Sequence, residues 1–150
     1  MKLGASPNLI HKRVHEDRPL AELRALGRAL ENLEMDSGGR IAWTALSARD
    51  LCESGAEPDD TEGIVNHLRS IAGTEMALIF VQAPGGQVKM SFRSRESVDV
   101  SELAREFGGG GHARAAGAKV SGGLDRVCRD VLDQGRKLLG GPGDDTRCLD

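Results

Sequence analysis

The feature that most constrains the fold is an unbroken apolar run from Met76 to Val81. A strand with one face in water alternates apolar and polar residues, whereas a strand covered on both faces is apolar throughout. The run therefore predicts a central strand between two layers of the protein. Pro84-Gly85-Gly86 supplies a turn after it, so residues 87–95 are predicted to form the second strand of a hairpin.

Helical patterns occur on both sides of this hairpin in the sequence. Leucines recur at steps of three and four residues after Pro19, and Gly38-Gly39 is predicted to end that helix. The leucines are Leu20, Leu23, Leu26, Leu30 and Leu33. Further helices are predicted after Ser47, from Pro58, near Val100 and over 124–138, and further strands over 40–46 and 115–120. This order predicts the α/β (α+β) class, a single domain with one mixed sheet of about four or five strands flanked by helices.

Charge and cysteine content narrow the possible functions. The net charge is −3 and the pI about 5.8, which argues against a protein that wraps long nucleic acid through many phosphates. A small phosphorylated ligand held in a local pocket fits better. The cysteines Cys52, Cys128 and Cys148 are odd in number and form no CxxC pair, so neither a disulfide framework nor a zinc site is expected.

The sequence contains neither a membrane-spanning segment nor a secretion signal by composition. A membrane helix needs about 20 consecutive apolar residues, and no run in the chain approaches that length. The first 20 residues contain no apolar core of the kind found in signal peptides. We therefore expect a cytoplasmic protein with no membrane partner.

The predicted strand over 87–95 carries the first candidate site. Because side chains alternate across a strand, Val88, Met90 and Phe92 share one face. The other face carries Lys89, Ser91, Arg93 and Arg95. Two guanidinium groups, an ammonium group and a hydroxyl on one face are suited to an anion, although a plain solvated outer face is the alternative.

Four consecutive glycines, Gly108 to Gly111, followed by His112 form the second candidate site. Successive exposed N–H groups in such a run can form an anion-binding concavity, whereas the alternative is a flexible connector. The small residues Ala115-Ala116-Gly117 that follow favour close packing beneath the run. No Lys-Ser or Lys-Thr follows the glycines, which argues against a Walker loop and nucleoside triphosphate hydrolysis. We expect His112 to donate to phosphate and not to bind a metal.

These motifs resemble the C-terminal DHH-associated domain of the DHH phosphoesterases. The resemblance rests on Met90-Ser-Phe-Arg-Ser94, Val98-Asp-Val-Ser101 and Phe107-Gly-Gly-Gly-Gly-His112-x-x-Ala-Ala-Gly117. Upstream matches such as Gly39-Arg-Ile-Ala-Trp43 and Glu62-Gly-Ile-Val-Asn66 are similar to the nano-RNase (oligoribonuclease) branch, which also dephosphorylates 3'-phosphoadenosine 5'-phosphate. The resemblance covers roughly residues 15–120.

The resemblance implies a two-domain enzyme in which this domain holds the nucleotide. It assigns Arg93 and Ser94 to phosphate or sugar, and Gly109, Gly110, Gly111 and His112 to the terminal phosphate. Arg95 and Arg114 are added from strand geometry and proximity in sequence. An N-terminal DHH domain would hold two Mn²⁺ ions, but the sequence contains no Asp-His-His and no Asp-x-Asp. We therefore expect no catalytic residue, no metal site and no hydrolysis from this chain alone.

The resulting division of the chain has four parts. Residues 1–18 are predicted as a linker or remnant, 19–37 as a helix connecting the two lobes, 38–140 as the substrate-binding domain and 141–150 as a disordered tail. The expected ligand is a short oligoribonucleotide or 3'-phosphoadenosine 5'-phosphate, and the leucine helix could pair in a homodimer. The alternatives are a non-catalytic RNA-binding or dimerisation module and the binding domain of a cyclic-dinucleotide phosphodiesterase.

Overall fold

A computed structural model describes residues 19–140. It contains five α-helices: α1 (Leu20–Glu31), α2 (Ala48–Ser54), α3 (Ile64–Arg69), α4 (Val100–Glu106) and α5 (Leu124–Leu138). Short 3-10 helices occupy Ser37–Gly39 and Pro58–Thr61. The linker predicted over 1–18 and the tail predicted over 141–150 lie outside the described residues.

Six strands form one mixed sheet. They are β1 (Glu34–Asp36), β2 (Ile41–Leu46), β3 (Met76–Ala83), β4 (Gln87–Ser94), β5 (Gly110–His112) and β6 (Ala115–Ser121). The spatial order is β1-β2-β3-β4-β6-β5, in which β2 and β3 are parallel and every other neighbouring pair is antiparallel. The α/β class and the single mixed sheet are confirmed. The strand count exceeds the expected four or five because two three-residue strands, β1 and β5, lie at the edges.

Strand β3 is covered on both faces, as its apolar run predicts. Met76, Leu78 and Phe80 belong to one buried cluster, whereas Ala77, Ile79 and Val81 belong to another. Helices α4 and α5 cover the first face, which we call the core face of the sheet. Helices α1, α2 and α3 cover part of the second face.

Helix α1 is shorter than predicted, and much of its leucine stripe is exposed. It ends at Glu31, and residues 34–36 form β1, so the prediction of a helix reaching Gly38 is wrong. Its buried residues are Ala25 and Ala29, while Leu20, Leu23 and Leu30 are 61%, 48% and 45% exposed. The alanines allow the helix to approach the sheet so closely that Thr44 Oγ1 donates to the Ala29 carbonyl at 2.5 Å. The leucine periodicity identified a helix but not its inner face.

Local signals in the sequence explain the other helix boundaries. Ser47 and Asp50 form the predicted capping box of α2, and Gly55 ends it with a φ of 74°. The helix predicted from Pro58 is interrupted at Glu62–Gly63, so that a 3-10 helix precedes α3. Trp43 packs edge-on against Phe80 with ring centroids 6.1 Å apart, which agrees with the prediction of a packing role.

The described residues also bear on the cysteines and on membranes. Cys128 is buried, and burial raises the pKa of its thiol to about 12, as suits a structural thiol, whereas Cys52 is exposed. Cys148 lies outside the described residues. None of the helices within residues 19–140 is long and apolar enough to cross a membrane.

Candidate anion-binding cleft

The second face of the sheet is only partly covered by helices. Helices α1, α2 and α3 lie over β2 and β3, and α3 also borders β4. The same face of β6 and β5, with the adjoining part of β4, is left open. A cleft of about 500 Å³ lies over this open face. It is lined by Glu62, Lys89, Met90, Ser91, Arg93, Gly110, Ala115, Ala116, Gly117, Ala118 and Lys119. A volume of this size falls within the range of roughly 300–1,000 Å³ that small-molecule sites occupy.

Strand register determines which side chains share the open face. Arg93 on β4 lies opposite Ala115 on β6, which lies opposite His112 on β5. Directly opposed residues of antiparallel strands point to the same side of a sheet, so Arg93 and His112 share the open face. Their Cα atoms are separated by two strand spacings, about 10 Å. The guanidinium group and the imidazole therefore flank the small side chain of Ala115.

A parallel row of residues forms the floor of the cleft. Ser91 lies opposite Gly117, which lies opposite Gly110. Two of these three residues have no side chain, so a ligand can approach the main chain directly. The floor is therefore flat and shallow between the Arg93–His112 row on one side and Lys89 with Lys119 on the other.

Arg93 provides the strongest indication that the cleft binds an anion. Its side chain is half-buried, and its only hydrogen bond within residues 19–140 is from Nη1 to the Phe92 carbonyl, at 2.9 Å. Burial and the nearby Arg69 guanidinium lower the pKa of Arg93, and they outweigh the opposite effect of the Glu62 carboxylate. No carboxylate of the described residues forms an ion pair with it. A partly desolvated cation without a counter-ion is stabilised when an anion binds beside it.

Lys89 lies at the opposite end of the cleft and is already paired. Its Nζ is 3.1 Å from Asp59 Oδ1 and 3.0 Å from Glu62 Oε1. Burial opposes the charge of Lys89, but the bonds to Glu62 and Asp59 outweigh it and raise its pKa. The two ends of the cleft therefore differ, since one has an unpaired guanidinium and the other a lysine neutralised by two carboxylates.

The glycine run adopts regular structure instead of an open loop. Gly108, with a φ of 77°, ends α4. The N–H groups of Gly108 and Gly109 donate to the carbonyls of Arg105 and Ala104, at 3.1 and 2.8 Å. This is the hydrogen-bond pattern of a Schellman motif. The Gly109 N–H is therefore engaged in the cap of α4 and does not face the cleft as a free donor.

The remaining part of the run is strand β5 at the edge of the sheet, and it explains why glycines are needed. A Cβ on Gly109 would lie 2.1 Å from the Gly117 carbonyl oxygen, and one on Gly111 would lie 2.6 Å from the Ala115 oxygen. A Cβ on Gly110, in contrast, would meet nothing within 4 Å. Gly109 and Gly111 thus permit close packing of β5 on β6, while Gly110 opens onto the cleft.

Of the eight predicted site residues, only Arg93 and Gly110 line the cleft. Gly109, Gly111 and His112 lie beside it along the edge of the sheet, and the other three side chains are engaged elsewhere. Ser94 is 2% exposed, and its hydroxyl lies 2.6 Å from the Val98 carbonyl oxygen on the core side of β4. Arg95 donates to the carbonyls of Arg69 and Ile71, just after the end of α3. Arg114 donates to the carbonyls of Val98 and Glu96. The structure therefore does not bring these three side chains together with Arg93 and His112.

The structure adds residues that sequence reasoning did not select. Glu62 and Lys119 line the cleft, and Gly117 forms part of its floor. Strand alternation in 115–121 could have placed Lys119 beside Lys89, but no local pattern indicates that Glu62 lies against them. Among residues 19–140 no group of three or more His, Cys, Asp or Glu side chains is arranged to hold a metal ion.

Comparison with known proteins places this α/β domain and its cleft in a family. Residues 38–138 match the DHHA1 domain, and this match covers more than half of the chain. The chain therefore belongs to the DHHA1 domain family, which confirms the resemblance drawn from its motifs. DHHA1 domains occur in DHH phosphoesterases related to NrnA.

Two curated proteins are similar to this chain in sequence. The bifunctional oligoribonuclease and PAP phosphatase NrnA of Thermus thermophilus is 32% identical over 123 residues, which are 81% of this chain and 36% of the relative. The probable bifunctional oligoribonuclease and PAP phosphatase NrnA of Streptococcus mutans is 33% identical over 99 residues, which are 66% of this chain and 31% of the relative. The chain thus spans about a third of the length of these relatives.

A solved structure shows the same architecture. The crystal structure of an exopolyphosphatase-related protein from Bacteroides fragilis matches with a TM-score of 0.78 at 26% identity. The match covers 91% of this chain and 41% of that protein. The fold described above is therefore found within a larger protein.

Proposed function

We propose that this chain is the substrate-binding domain of a DHH phosphoesterase of the oligoribonuclease and PAP phosphatase type. Its cleft would hold a phosphate of a short oligoribonucleotide or of 3'-phosphoadenosine 5'-phosphate. The observation that carries the proposal is Arg93, a half-buried guanidinium without a carboxylate partner among residues 19–140, on the open face that it shares with His112. The relationship to the two NrnA proteins supports the nucleotide class.

The unequal ends of the cleft suggest how a nucleotide lies in it. Arg93 and Lys89 are four residues apart on one strand, a separation of about 13 Å. The phosphate binds beside Arg93 and His112, and the nucleoside extends across Gly117 and Gly110 toward Glu62. Because Glu62 and Asp59 already pair with Lys89, that end accepts hydrogen bonds from sugar hydroxyls or base amino groups better than it accepts a second phosphate.

Hydrolysis would be the task of a second domain. Two-metal phosphoester hydrolysis needs several carboxylates and imidazoles that converge on the ions, and the described residues contain no such group. The Mn²⁺ ions that the family resemblance implies would therefore be held by a DHH catalytic domain acting with this one, in the cytoplasm. The contribution of this chain is to bind and orient the phosphate.

A titration by calorimetry tests the proposal against its alternatives. We expect 3'-phosphoadenosine 5'-phosphate and a 5'-phosphorylated diribonucleotide to bind at one site. Adenosine should bind at least about tenfold more weakly, because it lacks the charge-assisted hydrogen bonds worth roughly 1.5–3 kcal/mol each.

Two further ligands complete the comparison. Tighter binding of a tRNA than of the dinucleotide would support an RNA-binding module instead, and tighter binding of a cyclic dinucleotide would support the phosphodiesterase alternative. Equal affinity for adenosine and its bisphosphate would contradict phosphate recognition in either case.

A further inference from the structure

The turn between β5 and β6, Ala113–Arg114, is tied to its surroundings through both of its peptide carbonyls. The Ala113 carbonyl accepts the N–H of Val100, at 2.9 Å, and lies 3.1 Å from the Ser94 hydroxyl. The Arg114 carbonyl accepts the N–H of Ser94, at 3.2 Å. A turn between two short strands at a sheet edge would ordinarily be solvated and mobile, but this one is fixed to the end of β4 and the start of α4.

The side chain of Arg114 also ties the turn to the loop between β4 and α4. Its Nη1 donates to the Val98 carbonyl at 2.8 Å, and its Nη2 donates to the Glu96 carbonyl. The Val98 carbonyl oxygen is also 2.6 Å from the Ser94 hydroxyl. Ser94 and Arg114 thus meet at one oxygen atom, and the rigid fork of the guanidinium bridges two carbonyls of the loop, those of Glu96 and Val98. We call this set of contacts the turn clamp.

The turn clamp fixes the end of β5 that carries His112, in addition to the pairing of β5 with β6 and its contacts with α4. His112 is exposed and ends a strand of three residues, two of which are glycines. Glycine has the greatest backbone freedom of any residue, so an unanchored β5 would sample many conformations. A binding group must be held close to its productive position to contribute fully.

We propose that Ser94 and Arg114 are positioning residues, which fix the turn after His112 and so preorganise the cleft, and that neither contacts the phosphate. This inference rests on the proposed function, and it replaces the direct phosphate contacts that the sequence assigned to both residues. Both side chains are occupied by main-chain carbonyls, and turning Arg114 to a ligand would remove the donor from the Glu96 carbonyl.

A double-mutant cycle on 3'-phosphoadenosine 5'-phosphate binding tests the role of Arg114. We expect Arg114→Ala to weaken binding about tenfold in the wild-type background, within the range of coupling between interacting residues. In a His112→Ala background the same change should have no further effect, because the residue that it positions is absent. Additive losses would show that Arg114 contacts the ligand itself and would overturn the proposal.

A conservative variant separates geometry from charge. Arg114→Lys keeps the cation but cannot bridge two carbonyls as a guanidinium does, so we expect it to bind as weakly as Arg114→Ala. Full affinity in Arg114→Lys would show that binding depends on the charge at this position and not on the bridging geometry. That result would contradict the proposal. Arg126→Ala on α5, where the arginine is exposed and pairs only with Asp130, is the matched control and should leave affinity unchanged.

Amide hydrogen exchange provides a readout that needs no ligand. In Arg114→Ala and Ser94→Ala we expect faster exchange at Gly110, Gly111 and His112, with the central strand β3 unchanged. Unchanged exchange in β5 would overturn the turn clamp. If the wild type failed to bind any nucleotide while β5 still loosened in the variants, the proposed function would fail and the clamp would stand, so the two failures are distinguishable.

Discussion

Replacing Arg93 with alanine is expected to weaken binding of 3'-phosphoadenosine 5'-phosphate about ten- to a hundredfold. The variant removes a charge-assisted hydrogen bond to phosphate, worth roughly 1.5–3 kcal/mol. The loss of stability should be small, because among residues 19–140 the guanidinium makes only one hydrogen bond, to the neighbouring Phe92 carbonyl. Removing a partly desolvated cation beside Arg69 also relieves repulsion in the empty protein. Calorimetry of wild type and variant, with thermal unfolding of each, provides both quantities.

A second arginine serves as the control for this substitution. Arg129→Ala removes the same side chain from an exposed position on α5, which packs on the core face of the sheet. We expect it to leave both affinity and unfolding temperature unchanged. If Arg93→Ala bound as tightly as Arg129→Ala, the anion would not lie beside β4 and the placement of the phosphate would be wrong.

Substitutions in the glycine run are expected to divide into two kinds. Gly110→Val should abolish detectable nucleotide binding and leave the fold intact. A Cβ at this position meets nothing within 4 Å, its φ is not in the left-handed region, and the side chain would project into the cleft. Valine is also well suited to a strand. Gly27→Val on α1, where a Cβ likewise meets nothing within 4 Å, is the control and should bind normally.

Substitutions at Gly109 and Gly117 should lower the stability of the fold, in contrast to Gly110→Val. Gly109→Ala would place a Cβ 2.1 Å from the Gly117 carbonyl oxygen, and Gly117→Ala would place one 2.6 Å from the Met90 oxygen. Because these contacts are with the main chain, relief requires the strands to move apart, at a cost of at least about 1–3 kcal/mol. We expect both variants to unfold at lower temperature.

If Gly110→Val retained nucleotide binding, the glycine run would be only a connector between α4 and β6 and would take no part in binding the ligand.

Strand periodicity and motif resemblance select partly different residues around β4. Alternation over residues 87–95 placed Lys89, Ser91, Arg93 and Arg95 on one face; the first three line the cleft, whereas Arg95 follows the end of β4 and donates to carbonyls after α3. The same alternation puts Ser94 on the core side, where it is buried. The resemblance had assigned Ser94 to the ligand, and its burial on the core side favours a positioning role instead.

Other parts of the site depend on contacts that sequence patterns do not encode. The glycine run was expected to be an open concavity, but a Schellman motif and an edge strand account for it, since β6 lies close enough to exclude side chains at Gly109 and Gly111. Glu62 reaches the cleft only because the helix predicted from Pro58 is interrupted before α3. Both outcomes are decided by tertiary packing.

The leucines of α1 show the same limitation for the fold. Their spacing identified the helix correctly, but the buried face is formed by Ala25 and Ala29, which permit closer approach to the sheet. In contrast, the apolar run at β3 correctly predicted burial on both faces. A strand with one face in water would have alternated apolar and polar residues.

The most direct test of the cleft is a map of amide chemical shifts during nucleotide titration. With 3'-phosphoadenosine 5'-phosphate we expect shifts at Arg93, Gly110, His112 and Gly117, and with inorganic phosphate alone only at Arg93, Ala115 and His112. Shifts at Glu62 should require the nucleoside. Perturbations confined to the opposite layer, at Phe107 and Asp130 between α4 and α5, would contradict an anion site on the open face of the sheet.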